Sequence, residues 1–180
     1  MHRLRHFTAL ASILLIAFGA LFVTSSAETL EPTIPESPLP WDWTLGSLRE
    51  YATITIGTDT LLVEIADDGS LRQRGLSYRD GLEPGSGMLF VYPDEGPRSF
   101  WMKEMRFCLD IVWLGEDAIV GAAENVCPEP GVADAELTRY PSDAPVRFIL
   151  EVPANWLAER GYGPGTPIDL STVIATESGS

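Results

Sequence analysis

Histidine is confined to the first six residues, as His2 and His6, so nothing from Phe7 to Ser180 carries an imidazole. That excludes Ser-His-Asp and Cys-His nucleophilic machinery, and any histidine general base, from the body of the chain. It also removes the commonest zinc ligand. The two cysteines cannot complete a tetrahedral site alone, so no metal centre is expected. Lysine is scarcer still, because Lys103 is the single one and every other basic residue is arginine. Glycines such as Gly75 and Gly87 fall in no GxGxxG or P-loop pattern, which leaves no cofactor motif. Positive charge is short overall, with 12 basic against 26 acidic residues and a net charge of −14. So acidic a surface repels phosphate backbones, and nucleic acid is not an expected partner.

What the first residues do contain is a targeting pattern. Arg3 and Arg5 precede an apolar run from Phe7 to Val23, and Ser25 and Ala27 stand at small-residue cleavage positions. Residues 1–27 therefore read as a signal peptide or, if retained, an N-terminal membrane anchor. Either places the rest of the chain outside the cytoplasm, with membrane contact only through this segment. Residues 28–46 carry Pro32, Pro35, Pro38 and Pro40 and read as a linker, with Trp41 and Trp43 able to tack its end onto the domain. A single β-rich domain is expected over 47–172, a disordered tail over 173–180, and a monomer.

Within the domain, β-branched alternation marks strands at 51–56 and 60–66 around a turn at Gly57–Asp59. A short helix over 70–78 follows, then an apolar strand at 88–92. Residues 109–114 and 118–126 form a second hairpin, and 146–152, a helical 154–160 and a closing strand 166–170 complete the series. These elements predict an α+β domain, mostly antiparallel β, with a small barrel-like sheet and one or two short helices.

The stretch Pro97–Ile111 concentrates unusual residues: Phe100, Trp101, Met102, Met105 and Phe107 surround Lys103, with Cys108 and Asp110 close behind. One reading is a strand with Phe100 and Met102 in the core and Lys103 in water. The other gives Lys103 and Asp110 to a site. Cys108 and Cys127 nearly face each other across the second hairpin, which suits a structural disulfide in an exported domain. The spacing is not CxxC, and no histidine is near to activate a thiolate.

The run RQRGLSYRDGLEPGSGMLFVYPDEGPRSFWMKEMRFCLDIVWL, followed by ENVCPEP, Tyr140, VRFILEVPANW and YGPGTPIDL, resembles the uncharacterised bacterial and archaeal family called domain of unknown function family 192. The resemblance covers Tyr51 to Leu170. It implies a small mixed β domain, often behind a signal peptide, and supplies no activity. Members more often carry proline where this chain has Cys108 and Cys127, and a paired departure is what a gained disulfide looks like. The polar residues within the shared motifs are Arg74, Arg79, Lys103, Asp110, Asn125, Tyr140 and Glu151. Polar groups inside apolar strands are unfavourable unless paired or used. They form either a structural network or the lining of one pocket for a small polar ligand. Three functions follow: a non-enzymatic binding or accessory module for such a ligand or a cell-envelope partner, a hydrolase of envelope carbohydrate using Asp110 and Glu151, or a purely structural module. Acid–base glycoside cleavage needs two carboxylates flanking one bond.

Overall fold

The computed structural model describes residues 49–177. The signal or anchor segment, the linker and the last three residues lie outside the described residues. Strand β1 (Tyr51–Ile56) pairs antiparallel with β2 (Asp59–Ala66), with Ile56 opposite Asp59. Gly57 makes this tight turn at φ 58°, and a Cβ there would lie 2.5 Å from the Tyr162 ring that covers it. Helix α1 (Gly69–Arg74) is capped by Asp68, which accepts from the Leu71 amide at 2.8 Å, and ends at Gly75 with φ 51°. It is shorter than the expected 70–78. The crossover through α1 brings β3 (Ser86–Gly96) parallel to β2, as parallel neighbours require.

The next elements are β4 (Ser99–Phe100), β5 (Leu109–Leu114), β6 (Ile119–Val126), β7 (Tyr140–Pro141) and β8 (Val146–Pro153). They are followed by α2 (Trp156–Arg160), β9 (Ile168–Asp169) and α3 (Ser171–Glu177). Seven strands form one sheet in the order β6-β5-β8-β3-β2-β1-β9, antiparallel except at β2–β3, while β4 and β7 pair separately. The sheet curves as a half-barrel. Its two outermost strands meet at one end, where Ile168 N–H donates to Asp117 O at 2.9 Å and Ile119 N–H to Thr166 O at 2.9 Å.

Both faces of the sheet are covered, which explains why β3, β5 and β8 read as near-continuous apolar runs. The first face carries Ile65, Leu89, Val91, Val112, Leu150 and Val152, and packs on Trp156 and Leu157 of α2 and Val173 of α3. The second carries Ala66, Met88, Phe90, Ile111, Trp113 and Ile149. It is covered by Leu76, Phe100 and Met102, which lie largely outside regular structure.

Three short helices replace the one or two expected. The third occupies Ser171–Glu177 with Val173 buried, where the tail was expected to begin at 173, because an apolar face at Leu170 and Val173 finds β1 to pack on. The closing strand shrinks from 166–170 to Ile168–Asp169. In the central stretch only Ser99–Phe100 is strand. Phe100 and Met102 are buried as the first reading required, and the remainder to Cys108 is loop.

Candidate functional site

Asp110 points to the first face. It pairs across the sheet with Val152, while its neighbour Ile111 pairs with Glu151, so the two carboxylates leave opposite faces. Asp110 is fully buried and every contact described for it comes from a backbone amide. Its Oδ1 accepts from Asn125 N–H at 2.8 Å and Asn155 N–H at 3.0 Å, and its Oδ2 from Leu157 N–H at 3.0 Å. The first turn of α2 needs this. Its N-cap, Asn155, is left-handed at φ 68° and makes no side-chain cap, so a strand residue 47 positions before Leu157 supplies the acceptor. Asn125 contributes its backbone, at φ 50°, where β6 bulges and its pairing with β5 shifts register between Leu109 and Ile111. Asp110 and Asn125 are thus brought together, as parts of a structural clamp. The disulfide Cys108–Cys127, with Cα atoms 4.1 Å apart, closes the same end of the hairpin, as the sequence suggested.

The second face holds the other buried charges. The register sets Glu64, Met88, Glu151 and Ile111 side by side across β2, β3, β8 and β5. Glu64 and Glu151 are therefore two strands apart, about 10 Å along the sheet, with Met88 between them. Glu64 is 4% exposed and ion-paired twice: Arg79 Nη2 donates to its Oε1 at 2.8 Å, and Arg49 Nη1 bonds the same oxygen. Arg79 also draws on Glu151 electrostatically, yet burial outweighs it and pushes the Glu151 carboxyl up to about 8. Below that pH Glu151 carries a proton, and can donate one hydrogen bond and accept others. Its Oε2 is buried with no hydrogen-bond partner among the described residues. Such a buried polar atom calls for an explanation.

The remaining predicted residues lie around this face. Arg74 ends α1, and Tyr140 stands half-buried on β7 opposite Phe100, its hydroxyl pKa raised by burial. Lys103 is at the surface, 37% exposed, bonded to Asp134 at 2.5 Å and 5.5 Å from the centre of the Trp101 ring, with Arg139 at 3.6 Å over the same ring. Asp134 holds its pKa above the ordinary lysine value. The seven residues therefore do not line one pocket. Arg79 and Glu151 come together, Asp110 and Asn125 come together elsewhere, and Lys103 stands apart.

Sequence reasoning missed Glu64 and Arg49. A lone carboxylate in the run TLLVEIA was the available signal, the same one that marked Asp110 and Glu151. A cavity of about 380 Å³ lies at the end of the first face, lined by Leu114, Phe148, Ile174, Glu95 and Arg147, and includes none of the predicted residues. Among the described residues no three His, Cys, Asp or Glu side chains come together to hold a metal ion, and no helix is long and apolar enough to cross a membrane.

Comparison with known proteins returns a family model, DUF192, described as an uncharacterized ACR, over residues 52–170. No curated protein matches the chain. Among solved structures, a "putative transcription regulator" from Sinorhizobium meliloti 1021 is similar at 28% identity and a TM-score of 0.62, covering 69% of this chain and 97% of its own. A protein of unknown function from Novosphingobium aromaticivorans DSM 12444 shares the fold at 21% identity and a TM-score of 0.60, covering 69% and 94%.

Proposed function

The chain belongs to the DUF192 family, and from that premise we propose that it is an extracytoplasmic, non-enzymatic module that binds a small polar ligand of the cell envelope. One observation carries the reading: Glu151, buried in an apolar face beside Arg79 and Glu64, has a carboxyl oxygen that no described residue satisfies. A small hydrogen-bonding ligand seated there would complete the set. The Cys108–Cys127 disulfide and the targeting pattern of residues 1–27 support an oxidising location. The hydrolase alternative loses its chemistry, because Asp110 and Glu151 leave opposite faces and cannot flank one bond. The regulator description of the Sinorhizobium protein is not carried over, since a net charge of −14 opposes nucleic acid.

A structural module is the second reading, favoured by Asp110, whose carboxylate is committed to three backbone amides. Native mass spectrometry of the full chain recovered from its own envelope fraction separates the two. A bound small molecule in the parent, lost in Glu151→Met, is the expected result. The bare protein mass in the parent overturns the binding reading.

A further inference from the structure

Two non-glycine residues with left-handed backbone meet over the second face. Tyr78 has φ 66° and Glu104 φ 56°, a region that non-glycine residues seldom occupy. They are bonded to each other, Tyr78 N–H donating to Glu104 O at 2.9 Å. Two neighbours repeat the tie: Ser77 Oγ donates to Lys103 O at 3.0 Å, and Arg106 Nη1 to Asp80 Oδ1 at 2.8 Å. All three join one irregular segment, Ser77–Leu82, to one loop, Lys103–Arg106. The segment is anchored on one side by Leu76, buried at 1%, and on the other by β3. Between those anchors Tyr78 is 49% exposed, and Asp80 and Gly81 are exposed as well. Two side chains of this segment turn inward: Leu82, which packs against the second-face core, and Arg79, which reaches Glu64 and whose charge bears on Glu151.

We infer that Ser77–Leu82 is a movable strap that gates the buried Glu64–Glu151 site, latched shut through Tyr78–Glu104, Ser77–Lys103 and Asp80–Arg106. This rests on the binding reading for its purpose, though not for its test. A carboxylic acid this enclosed takes a ligand only if some wall moves. The sheet strands are bonded on both sides and cannot be that wall. The strap is tied to the neighbouring loop by three polar contacts, one of them an exposed ion pair, and to the sheet by the Arg79–Glu64 pair. Its strained residues can relax to ordinary φ when the latch parts, so the closed form opposes a local preference and depends on the latch. Opening carries Arg79 away from both carboxylates, which couples access to a change of charge in the site.

Both cysteines are in the disulfide, so an introduced thiol is a unique reporter. Met88→Cys places one between Glu64 and Glu151 on the gated face, and Leu89→Cys places one on the opposite face, both at positions at most 2% exposed. Alkylation of the full chain with iodoacetamide under native conditions is expected to be at least ~10-fold faster at position 88, because local opening is easier than global unfolding. Ser77→Ala removes one latch bond and should speed position 88 by about 5-fold, as loss of roughly 1 kcal/mol implies, and leave position 89 unchanged. Tyr78→Gly, which accepts positive φ without strain, should slow it. Equal rates at 88 and 89 that shift together in Ser77→Ala overturn the gate. Should the cysteine variants not fold, hydrogen exchange on the unaltered chain gives the same decision: the Tyr78 amide exchanges faster than the Phe90 amide of β3 if the strap opens, and equally slowly if it does not. No ligand enters these measurements, so a gate that opens in a protein carrying no bound molecule leaves the gate standing and removes the binding reading. The reverse pair of results does the opposite.

Discussion

Replacing Asp110 by alanine is the perturbation whose magnitude the structure defines best. The side chain is fully buried and accepts three backbone N–H groups at 2.8, 3.0 and 3.0 Å. None of the three amides has a substitute acceptor in its own element. Asn125 lies at a bulge, Asn155 is the cap residue, and Leu157 belongs to the unsatisfied first turn of α2. Each buried donor left unpaired costs about 1–3 kcal/mol. Some relaxation and water entry reduce the total, giving an expected loss of ~3–5 kcal/mol. A domain of about 130 residues unfolds with an entropy near 0.27 kcal/mol/K, so this loss lowers the Tm by roughly 11–18 °C. Asp110→Asn keeps one carbonyl oxygen for Asn125 and Asn155 but sets an NH2 against Leu157 N–H, so its loss should be smaller. Circular dichroism melts, with the exposed Glu116→Ala as control, measure the global effect. Hydrogen exchange at Leu157 measures the local one. An Asp110→Ala protein that melts within ~3 °C of the parent, with Leu157 still protected, would refute the clamp.

Two further predictions concern the disulfide and the buried acid. Peptide mapping without reduction should recover Cys108 linked to Cys127, and Cys108→Ser with Cys127→Ser should lower stability by about 3 kcal/mol with the fold retained, the entropy of a loop spanning 19 positions. Free thiols in the unreduced protein would contradict this. Glu151 titrates near 8 when folded and near its ordinary 4.5 when unfolded, so between these values the unfolded chain has released a proton that the native one keeps. Its contribution to stability therefore falls as pH rises from about 4.5 to about 8, and Glu151→Gln should gain on the parent, by on the order of a few kcal/mol, at pH 8 relative to pH 5. Urea titrations at both pH values check this, and an identical difference at each would show that Glu151 is not held neutral.

The strands were legible because double burial leaves runs such as MLFV and IVWL apolar throughout, and the second hairpin was legible enough to pair its cysteines. Asp110 stood out as a lone acid in LDIVWL. Its partners did not, because two of them are amides 45 and 47 residues away whose proximity exists only after α2 folds back on the sheet. Glu64 was missed for a different reason. In TLLVEIA it falls in the alternation phase that normally faces water, and that face is covered here by loops, which leave no periodic trace in the sequence. Lys103 drew notice through its rarity, which carries no information about burial, and the side chain proved to be at the surface.

The meeting of the sheet's two ends bears on how the protein behaves in a crowd of copies. An open row of backbone donors and acceptors along an outermost strand is a template for another chain, and the usual outcome is aggregation. Here β9 offers only two residues of such a row, and Ile168 and Thr166 bond across to the start of β6. The rest of β6 is interrupted by the bulge at Asn125, beside the exposed, acidic Glu124. The segment 165–168, where the expected closing strand begins, is thus what denies neighbouring molecules a strand to pair with. Cutting or lengthening it would turn a self-contained fold into a sticky one while removing no residue of the core.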